Sequence, residues 1–310
     1  MVTTAKLRER YVDLDGTRVH YVAEDGPKDC PRFVLVHGLG GSWANWADVM
    51  PLLAERGRAI ALDLGGHGLT DVPPKQASMP ANLHLLQRFV HSVCDGRPAI
   101  VAGNSMGGLL TAQLAARDKR AVAGAVLIDP AIPPTPVSRP HPLVLLGFAA
   151  ETLLGQRALA HQSARVSLEQ QVDFTMRLVT SNPDRVSAQL RLQHLGDTLL
   201  RMERVAHADA QHVAATRSLL WQLARRDRFA ATMHRILQPV LLLHGARDRL
   251  INVGSARALA AAHPHWSYVE GADKGHTPML DYPDWVAEQL LAWLDARPGL
   301  VRKAALTSGV

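Results

Sequence analysis

Short apolar runs alternate with longer amphipathic stretches along most of the chain. The runs lie at residues 33–36, 59–62, 99–102, 122–128, 240–243 and 267–270. They are rich in leucine and β-branched residues and do not alternate strictly, which is typical of strands covered on both faces of a parallel sheet. Helical candidates lie between them, at about residues 43–55, 81–94, 106–118, 253–262 and 283–296. The pattern predicts an α/β fold with a mostly parallel, doubly wound sheet.

Both ends of the chain lie outside this alternation. Residues 10–14 and 18–22 alternate polar and apolar side chains, and Asp15-Gly16 between them predicts the turn of an antiparallel hairpin. Residues 1–10 are charged and have no apolar stretch typical of a secretory signal. Residues 298–310 show no partner pattern, and we expect a flexible tail there.

The alternation is interrupted between Asp129 and Val240. Residues 130–142 hold six prolines in thirteen positions, which predicts an extended connector. Residues 143–237 follow a helical pattern, with Asn182-Pro183-Asp184 as a helix start. Apolar residues recur there near helical spacing, at Leu190, Leu192, Leu195, Leu199 and Met202. We therefore predict a core in two parts, residues 1–134 and 238–297, an inserted helical cap over residues 135–237, and a tail over 298–310.

Composition and charge narrow the class of protein. Of 310 residues, 47% are hydrophobic and 20% charged, which excludes a mainly disordered chain. No apolar run reaches the ~18 residues of a membrane helix, so we expect no stable membrane insertion. Cys30 and Cys94 form neither a disulfide framework nor a metal motif, which favours the cytoplasm. The net charge is +6, but basic residues are interleaved with acidic ones and aromatics are 5%, so we expect no nucleic-acid partner.

The segment Gly103-Asn104-Ser105-Met106-Gly107-Gly108 is the strongest chemical signal in the sequence. It follows a predicted strand directly and opens a predicted helix, which places Gly-x-Ser-x-Gly in a strand–turn–helix context. So tight a turn needs glycine on both sides of the serine. Its strain lifts the Ser105 hydroxyl into the open at a helix N-terminus, where partial positive charge favours a developing oxyanion. The segment predicts a serine nucleophile.

Through this motif, residues 8–296 resemble the α/β-hydrolase fold superfamily, and within it a serine-nucleophile, esterase/lipase-like member with a helical cap. Four further motifs lie in the family's order, and the first is His37-Gly38-Leu39-Gly40-Gly41. The resemblance implies an oxyanion hole made by the backbone N–H groups of Leu39 and Met106. We expect His37 itself to be structural, hydrogen-bonded within its loop.

The second motif, Asp63 to Thr70, resembles the family's Asp-x-Pro-Gly-x-Gly-x-Ser turn. Gly65 stands where the family has proline, and Thr70 stands where it has serine. Both changes are compatible with a turn, so we expect this segment to be scaffold and to take no part in the chemistry.

The third and fourth motifs supply the acid and the base. His244-Gly245-Ala246-Arg247-Asp248 lies where the family has its acid, and Gly275-His276-Thr277-Pro278 lies where it has its base. The resulting order of Ser105, Asp248 and His276 is the one expected of this fold. Asp129, at the end of the strand at 122–128, is the alternative acid.

The resemblance implies a mechanism that these residue types support. A serine hydroxyl is a weak nucleophile at neutral pH, so His276 would take its proton while Asp248 holds the imidazole in the right tautomer. An acyl-enzyme would form and water would release the acid. We expect neither a metal nor an organic cofactor.

The nucleophile type narrows the reaction. Relatives that open epoxides or cleave carbon–halogen bonds use aspartate where this chain has Ser105, and residues 143–237 contain no tyrosine for epoxide activation. Hydrolysis of a carboxylic ester is the leading expectation. Carbon–carbon hydrolysis of meta-cleavage-type dienones is the alternative, although Thr277 stands where those enzymes have tryptophan. Thioester, amide or lactone hydrolysis and a triad-bearing small-molecule receptor stay open.

Substrate choice should be set by the cap. Candidate substrate contacts are Trp43, Phe174, Met176 and Met202, and residues 143–148 are a candidate apolar lip. They favour a small to medium apolar ester. The oligomeric state is left open between a monomer and a homodimer.

Overall fold

One eight-stranded sheet organises the chain. A computed structural model describes residues 7–27, 30–134 and 166–305. The strands are β1 Arg8–Leu14, β2 Thr17–Glu24, β3 Arg32–Val36, β4 Arg58–Leu62, β5 Ala99–Asn104, β6 Val122–Ile128, β7 Val240–Gly245 and β8 Ser267–Gly271. Their order is β1-β2-β4-β3-β5-β6-β7-β8. Strands β3 to β8 run parallel, while β1 and β2 pair antiparallel, as the sequence predicted.

Helices cover both faces of the sheet. They are α1 Met50–Ala54, α2 Met79–Val93, α3 Met106–Arg117, α4 Leu168–Val179, α5 Ala188–Arg204, α6 Ala208–Leu223, α7 Arg226–His234, α8 Val253–Ala262, α9 Pro278–Asp281, α10 Pro283–Asp295 and α11 Pro298–Ala305. Successive residues of the central strands point to opposite faces, so Val34 joins one apolar cluster and Leu35 the other. The doubly wound α/β class predicted from the sequence is confirmed. Among the described helices, none combines the length and apolar character needed to cross a bilayer.

The hairpin turn follows from two residues. Leu14 pairs with Thr17, leaving Asp15 and Gly16 between the strands with φ of +51° and +81°. Positive φ at both central positions matches the right-handed twist of the flanking strands, and glycine adopts it without steric cost.

Helices α4 to α7, here called the inserted helices, lie between β6 and β7. We predicted that a helix begins at Asn182-Pro183-Asp184, and this prediction is wrong for the long helix α5. Residues Pro183–Arg185 form a separate 3-10 turn, and α5 is capped by Ser187, whose hydroxyl accepts from the Leu190 N–H at 3.1 Å. Residues 135–165 lie outside the described residues, including the candidate lip at 143–148, and the boundaries of the cap stay a prediction.

The predicted tail is wrong for residues 298–305. Pro298–Ala305 form helix α11, which buries Leu300 and Ala304 in the core cluster shared with α10. Proline suits the first helical position, and an apolar pair four residues apart gives one buried face. This pattern is too short to stand out in the sequence. Residues 306–310 lie outside the described residues.

The Asp63–Thr70 turn is held by buried hydrogen bonds. Asp63 is fully buried, and its carboxylate accepts from the N–H groups of Trp43 and Leu69, each at 2.8 Å. Its Oδ2 lies 2.7 Å from Nδ1 of His20. One carboxylate thus joins strand β2, the turn itself and the 3-10 segment after the His37 loop.

Replacing Asp63 with alanine should lower the free energy of unfolding by roughly 3 kcal/mol or more, because two buried donors and one partly buried donor lose their acceptor. Urea denaturation measures the change. Asp13→Ala, which removes an exposed carboxylate from β1, is the control and should stay within ~0.5 kcal/mol of wild type. Equal effects of the two substitutions would contradict the role given to Asp63.

Candidate active site

Ser105 lies in a strained turn between β5 and α3. Its φ of +53° and ψ of −118° are unfavourable for any residue with a side chain. The two flanking glycines make the turn possible. A Cβ on Gly103 would overlap the carbonyl oxygen of Gly107, and a Cβ on Gly107 would overlap that of Val36. The close approach of three backbone segments therefore requires the Gly-x-Ser-x-Gly pattern.

The predicted acid and base are in direct contact. Nδ1 of His276 lies 2.8 Å from Oδ2 of Asp248, and both side chains are buried. The other oxygen of Asp248 accepts from the N–H groups of Leu250 and Ile251, at 2.7 and 2.9 Å. Burial alone would raise the pKa of Asp248, but the charge and hydrogen bond of His276 outweigh it and lower that pKa. Asp248 is therefore a carboxylate at neutral pH, suited to orient an imidazole.

Asn104 ties this pair to the nucleophile. Its Nδ2 donates to the carbonyl oxygen of His276 at 2.8 Å and to that of Ile128 at 3.1 Å. Because Asn104 directly precedes Ser105, the position of the histidine loop is coupled to the serine turn. Asn104 was not predicted as a site residue, because the Gly-x-Ser-x-Gly motif specifies only the glycines and the serine.

Ser105 and His276 line one cavity of about 290 Å³. Its described lining comes from the loop after β3, the serine turn, the loops after β7 and β8, and the inserted helices. The members are Gly38, Leu39, Gly40, Gly41, Asn45, Asn104, Ser105, Ala131, Thr175, Met176, Val179, His194, Thr216, Leu219, Leu220, Leu223, Leu250, Ile251, His276, Thr277 and Leu280. Most of these side chains are apolar, and none of them is Lys, Arg, Asp or Glu.

Only one of the four predicted substrate contacts lines this cavity, namely Met176. Phe174 lies two residues away on α4, which turns it to the opposite face, and it is 62% exposed. Met202 on α5 also faces outward and is 66% exposed. Trp43 is buried in the core cluster that also holds Phe33 and Leu35. The structure therefore corrects the predictions for Trp43, Phe174 and Met202.

Helix α5 shows why the sequence predicted the wrong residues for the cavity lining. Its leucines at 192 and 199 are 68% and 54% exposed, whereas His194, Asp197 and Arg201 face inward beside Leu190. The inward positions have spacings of four, three and four residues, which is the period of one helix face. A polar stripe at that spacing is the signal that could have identified His194 as a cavity residue.

The loop after β3 lies against the nucleophile. A Cβ on Gly38 would lie 3.1 Å from Cβ of Ser105, and Leu39 lines the cavity. The N–H of Met106 is at the first position of α3, where no intrahelical acceptor exists. The two predicted oxyanion donors thus belong to the residue after Ser105 and to the loop that lies against Ser105.

His37 holds this loop in place. Its Nδ1 lies 2.7 Å from the carbonyl oxygen of Gly38, and its Nε2 accepts from the Leu64 N–H at 3.0 Å. An accepting Nε2 requires a neutral imidazole with the proton on Nδ1. Burial lowers the pKa of His37, which agrees with that state. These bonds lie within the scaffold, as the sequence led us to expect.

Asp129, the alternative acid, is bonded elsewhere. It is fully buried with φ of +43°, and its Oδ1 accepts from the Gly245 N–H at 2.8 Å. It therefore links the end of β6 to β7, and no hydrogen bond joins it to His276 in the described part of the chain. Burial raises the pKa of Asp129 well above its usual value, and the charge of Asp248 adds to that rise. A protonated Asp129 is a poor candidate for stabilising an imidazolium.

Asp129, His244 and Asp248 each have a potential metal-ligating atom within 4.8 Å of the others. Hydrogen bonds already use much of this donor set. Nε2 of His244 lies 3.1 Å from the carbonyl oxygen of Ile251, and Asp248 is bonded to His276. We therefore interpret the cluster as a hydrogen-bonded part of the site.

The raised pKa of Asp129 has a consequence for stability. An unfolded Asp129 loses its proton above about pH 4, while the folded one holds its proton to a higher pH, so each pH unit between the two pKa values costs up to ~1.4 kcal/mol of stability. Asp129→Asn removes this cost because asparagine does not titrate. The stability of the variant relative to wild type should therefore rise as pH increases above about 4. Urea denaturation at several pH values measures it, and a difference that is flat or falls with pH would contradict a protonated Asp129.

A parallel sheet, a strained serine after β5 and an Asp–His pair after β7 and β8 define the architecture of an α/β hydrolase. The alpha/beta hydrolase fold family matches residues 31–283. The chain therefore belongs to this family. A solved structure of 2-hydroxy-6-oxo-6-phenylhexa-2,4-dienoate hydrolase from Rhodococcus has the same fold, with a TM-score of 0.72 at 20% identity over 94% of this chain and 100% of that one.

Two relatives of different activity share most of the chain. It is 30% identical to a pimeloyl-(acyl-carrier protein) methyl ester esterase of Aromatoleum aromaticum, over 82% of this chain and 94% of that protein. It is 25% identical to the 2-hydroxy-6-oxo-6-(2'-aminophenyl)hexa-2,4-dienoic acid hydrolase of Metapseudomonas resinovorans, over 96% of this chain and 94% of that protein. The chain is thus a hydrolase-family member with both esterase and carbon–carbon hydrolase relatives.

Proposed function

We propose that this protein is a serine hydrolase that cleaves carboxylic esters of small to medium apolar substrates through an acyl-enzyme. One observation carries the proposal. Ser105 lines the same largely apolar cavity as His276, and His276 is hydrogen-bonded to Asp248. The reaction needs only these side chains, two backbone donors and water.

The proposed reaction has two stages, acylation of Ser105 and hydrolysis of the acyl-enzyme. His276 takes the Ser105 proton as the serine oxygen attacks the ester carbonyl, and the N–H groups of Leu39 and Met106 stabilise the oxyanion. The intermediate collapses, the carbon–oxygen bond to the alcohol breaks, and His276 returns the proton to the leaving alkoxide. Water, deprotonated by the same imidazole, then releases the acid and restores the serine. Asp248 keeps the imidazole in the required tautomer throughout.

Two observations favour an ester as substrate. The esterase relative is 30% identical over most of both chains. The cavity volume of about 290 Å³ lies near the lower end of the volumes of ligand pockets, which suits a small to medium substrate.

The free cysteines Cys30 and Cys94 agree with the reducing cytoplasm, which we propose as the compartment.

Carbon–carbon hydrolysis is the second candidate because the dienoic acid hydrolase aligns with almost the whole chain. The cavity argues against it. A dienoic acid carries a carboxylate, and the described lining contains no Lys or Arg to bind one. Thr277, the residue after His276, also lines the cavity, and it stands where carbon–carbon hydrolases have tryptophan.

Steady-state hydrolysis of p-nitrophenyl esters from acetate to palmitate tests the proposal, with a meta-cleavage dienone assayed in parallel. We expect turnover of the esters with an optimum at short or medium acyl chains. Turnover of the dienone with no ester hydrolysis would overturn the ester proposal in favour of the second candidate.

A further inference from the structure

His194 is a polar residue of α5 that the proposed mechanism does not use. It lines the same cavity as Ser105 and His276. Its Nε2 is buried and has no hydrogen-bond partner among the described residues. A buried polar atom without a partner is unfavourable in the free protein, and a ligand that supplies the partner relieves this.

The other polar side chains of the described lining, apart from Ser105 and His276, are bonded within the protein. Thr175, Thr216 and Thr277 donate to backbone carbonyl oxygens, Asn104 donates to two of them, and Asn45 accepts from the Ser42 N–H. Their polar groups are therefore less available to a ligand. His194 stands out because its Nε2 has no hydrogen-bond partner among the described residues.

The inward face of α5 supports this distinction. Asp197 accepts from the Ser42 hydroxyl at 3.3 Å, and Arg201 donates to the carbonyl oxygens of Gly66 and Gly68 at 2.7 and 2.8 Å. Asp197 and Arg201 thus bind α5 to the core. His194 lies on the same face, before both of them in the chain, lines the cavity and makes no such link among the described residues.

The chemistry of the partner follows from charge. Burial lowers the pKa of His194 to about 4, so the imidazole is neutral at pH 7, with one N–H donor and one nitrogen acceptor. No Lys or Arg is present in the described lining to accompany an anion. A neutral oxygen, as in a hydroxyl or a ketone, fits such a site better than a carboxylate.

We infer that His194 binds a second, uncharged oxygen of the substrate, separate from the ester that Ser105 attacks. The preferred substrate is then an otherwise apolar ester that carries a hydroxyl or carbonyl group elsewhere in the molecule. This inference rests on the proposed function and names a specificity-determining residue for it.

Matched ester pairs test the inference. Butyl hexanoate is compared with hydroxypropyl hexanoate, and methyl hexanoate with methyl oxohexanoates that carry the ketone at each inner chain position. Acid release in a pH-stat gives kcat/KM for wild type, His194→Leu and His194→Gln. The wild type should prefer at least one oxygen-bearing ester by about tenfold or more over its apolar partner.

The variants assign that preference to His194. His194→Leu should bring the ratio close to one, whereas His194→Gln, which keeps a hydrogen-bonding group, should retain part of the preference. Thr216→Val is the matched control, because its hydroxyl already donates to the His212 carbonyl oxygen. A ratio that is the same in wild type and His194→Leu for every pair would overturn the inference.

Binding separates this inference from the proposed function. Calorimetry on Ser105→Ala and on the double variant Ser105→Ala/His194→Leu gives Kd for the same pairs without turnover. If the wild type hydrolyses no ester, the proposed function fails, and a Kd preference lost in the double variant still supports His194. If esters are hydrolysed but neither the kinetic nor the binding ratio depends on His194, only the inference fails.

Discussion

Ser105→Ala should lower kcat/KM for the best p-nitrophenyl ester by about 10⁴-fold or more, because no other group in the proposed mechanism can form the acyl-enzyme. Alanine keeps the Cβ that the turn already accommodates, so we expect the fold to survive. Parallel measurements of the ester rate and of the thermal unfolding midpoint check both statements. Ser267→Ala, on edge strand β8, is the control for the loss of a serine hydroxyl outside the cavity.

The outcome of that experiment also decides between an enzyme and a receptor. Ester hydrolysis that survives in Ser105→Ala would exclude Ser105 as the nucleophile. A wild type that binds small apolar esters tightly but turns them over far more slowly than about once per second would favour the small-molecule receptor instead. Fast turnover that disappears only in Ser105→Ala supports a serine esterase.

The sheet and the serine turn were predictable because their signals are local. Buried parallel strands need continuous apolar runs, and residues such as Leu35 and Val101 can lie only in the interior. The close approach at Gly103 and Gly107 leaves room for no side chain, so the motif itself records the geometry. Since the carboxyl ends of parallel strands share one edge, the loops after β5, β7 and β8 had to meet there.

The inserted helices were harder to predict because their partners are distant in sequence. Arg201 faces inward only because the backbone carbonyl oxygens of Gly66 and Gly68 are there to accept from it. Leu192 and Leu199 are at helical spacing and yet remain exposed, so apolar period alone assigned the wrong face. His194 was missed for the same reason, since it shares the face of Arg201.

The choice between two acids was also beyond the sequence. Asp129 and Asp248 both follow buried strands, and either could have approached His276. The difference comes from the backbone, because the Gly245 N–H already binds Asp129 while the turn after β7 brings Asp248 to Nδ1 of the imidazole. Their pKa shifts are opposite, because burial and the charge of Asp248 raise the pKa of Asp129, whereas the contact with His276 outweighs burial and lowers the pKa of Asp248.

Asp248→Asn should therefore lower kcat by about 10⁴-fold, because an amide can donate to Nδ1 and so hold the imidazole in the wrong tautomer, and it cannot stabilise the imidazolium. Asp129→Asn is the matched control, a buried carboxyl one strand away. Asparagine resembles a protonated Asp129 and can still accept from the Gly245 N–H, so kcat should fall by less than about tenfold, or ~1.4 kcal/mol.

Steady-state ester kinetics on both variants, with circular dichroism to confirm folding, provide the measurement. The reverse ranking, with Asp129→Asn inactive and Asp248→Asn active, would show that the acid lies at the end of β6. If kcat falls by equally large factors in both variants, the two carboxyls act together by sharing a proton. Asparagine could not replace Asp129 in that role, because it has no titratable proton. The tenfold limit for Asp129→Asn separates that outcome from the one we expect, in which the contact between His276 and Asp248 alone orients the base.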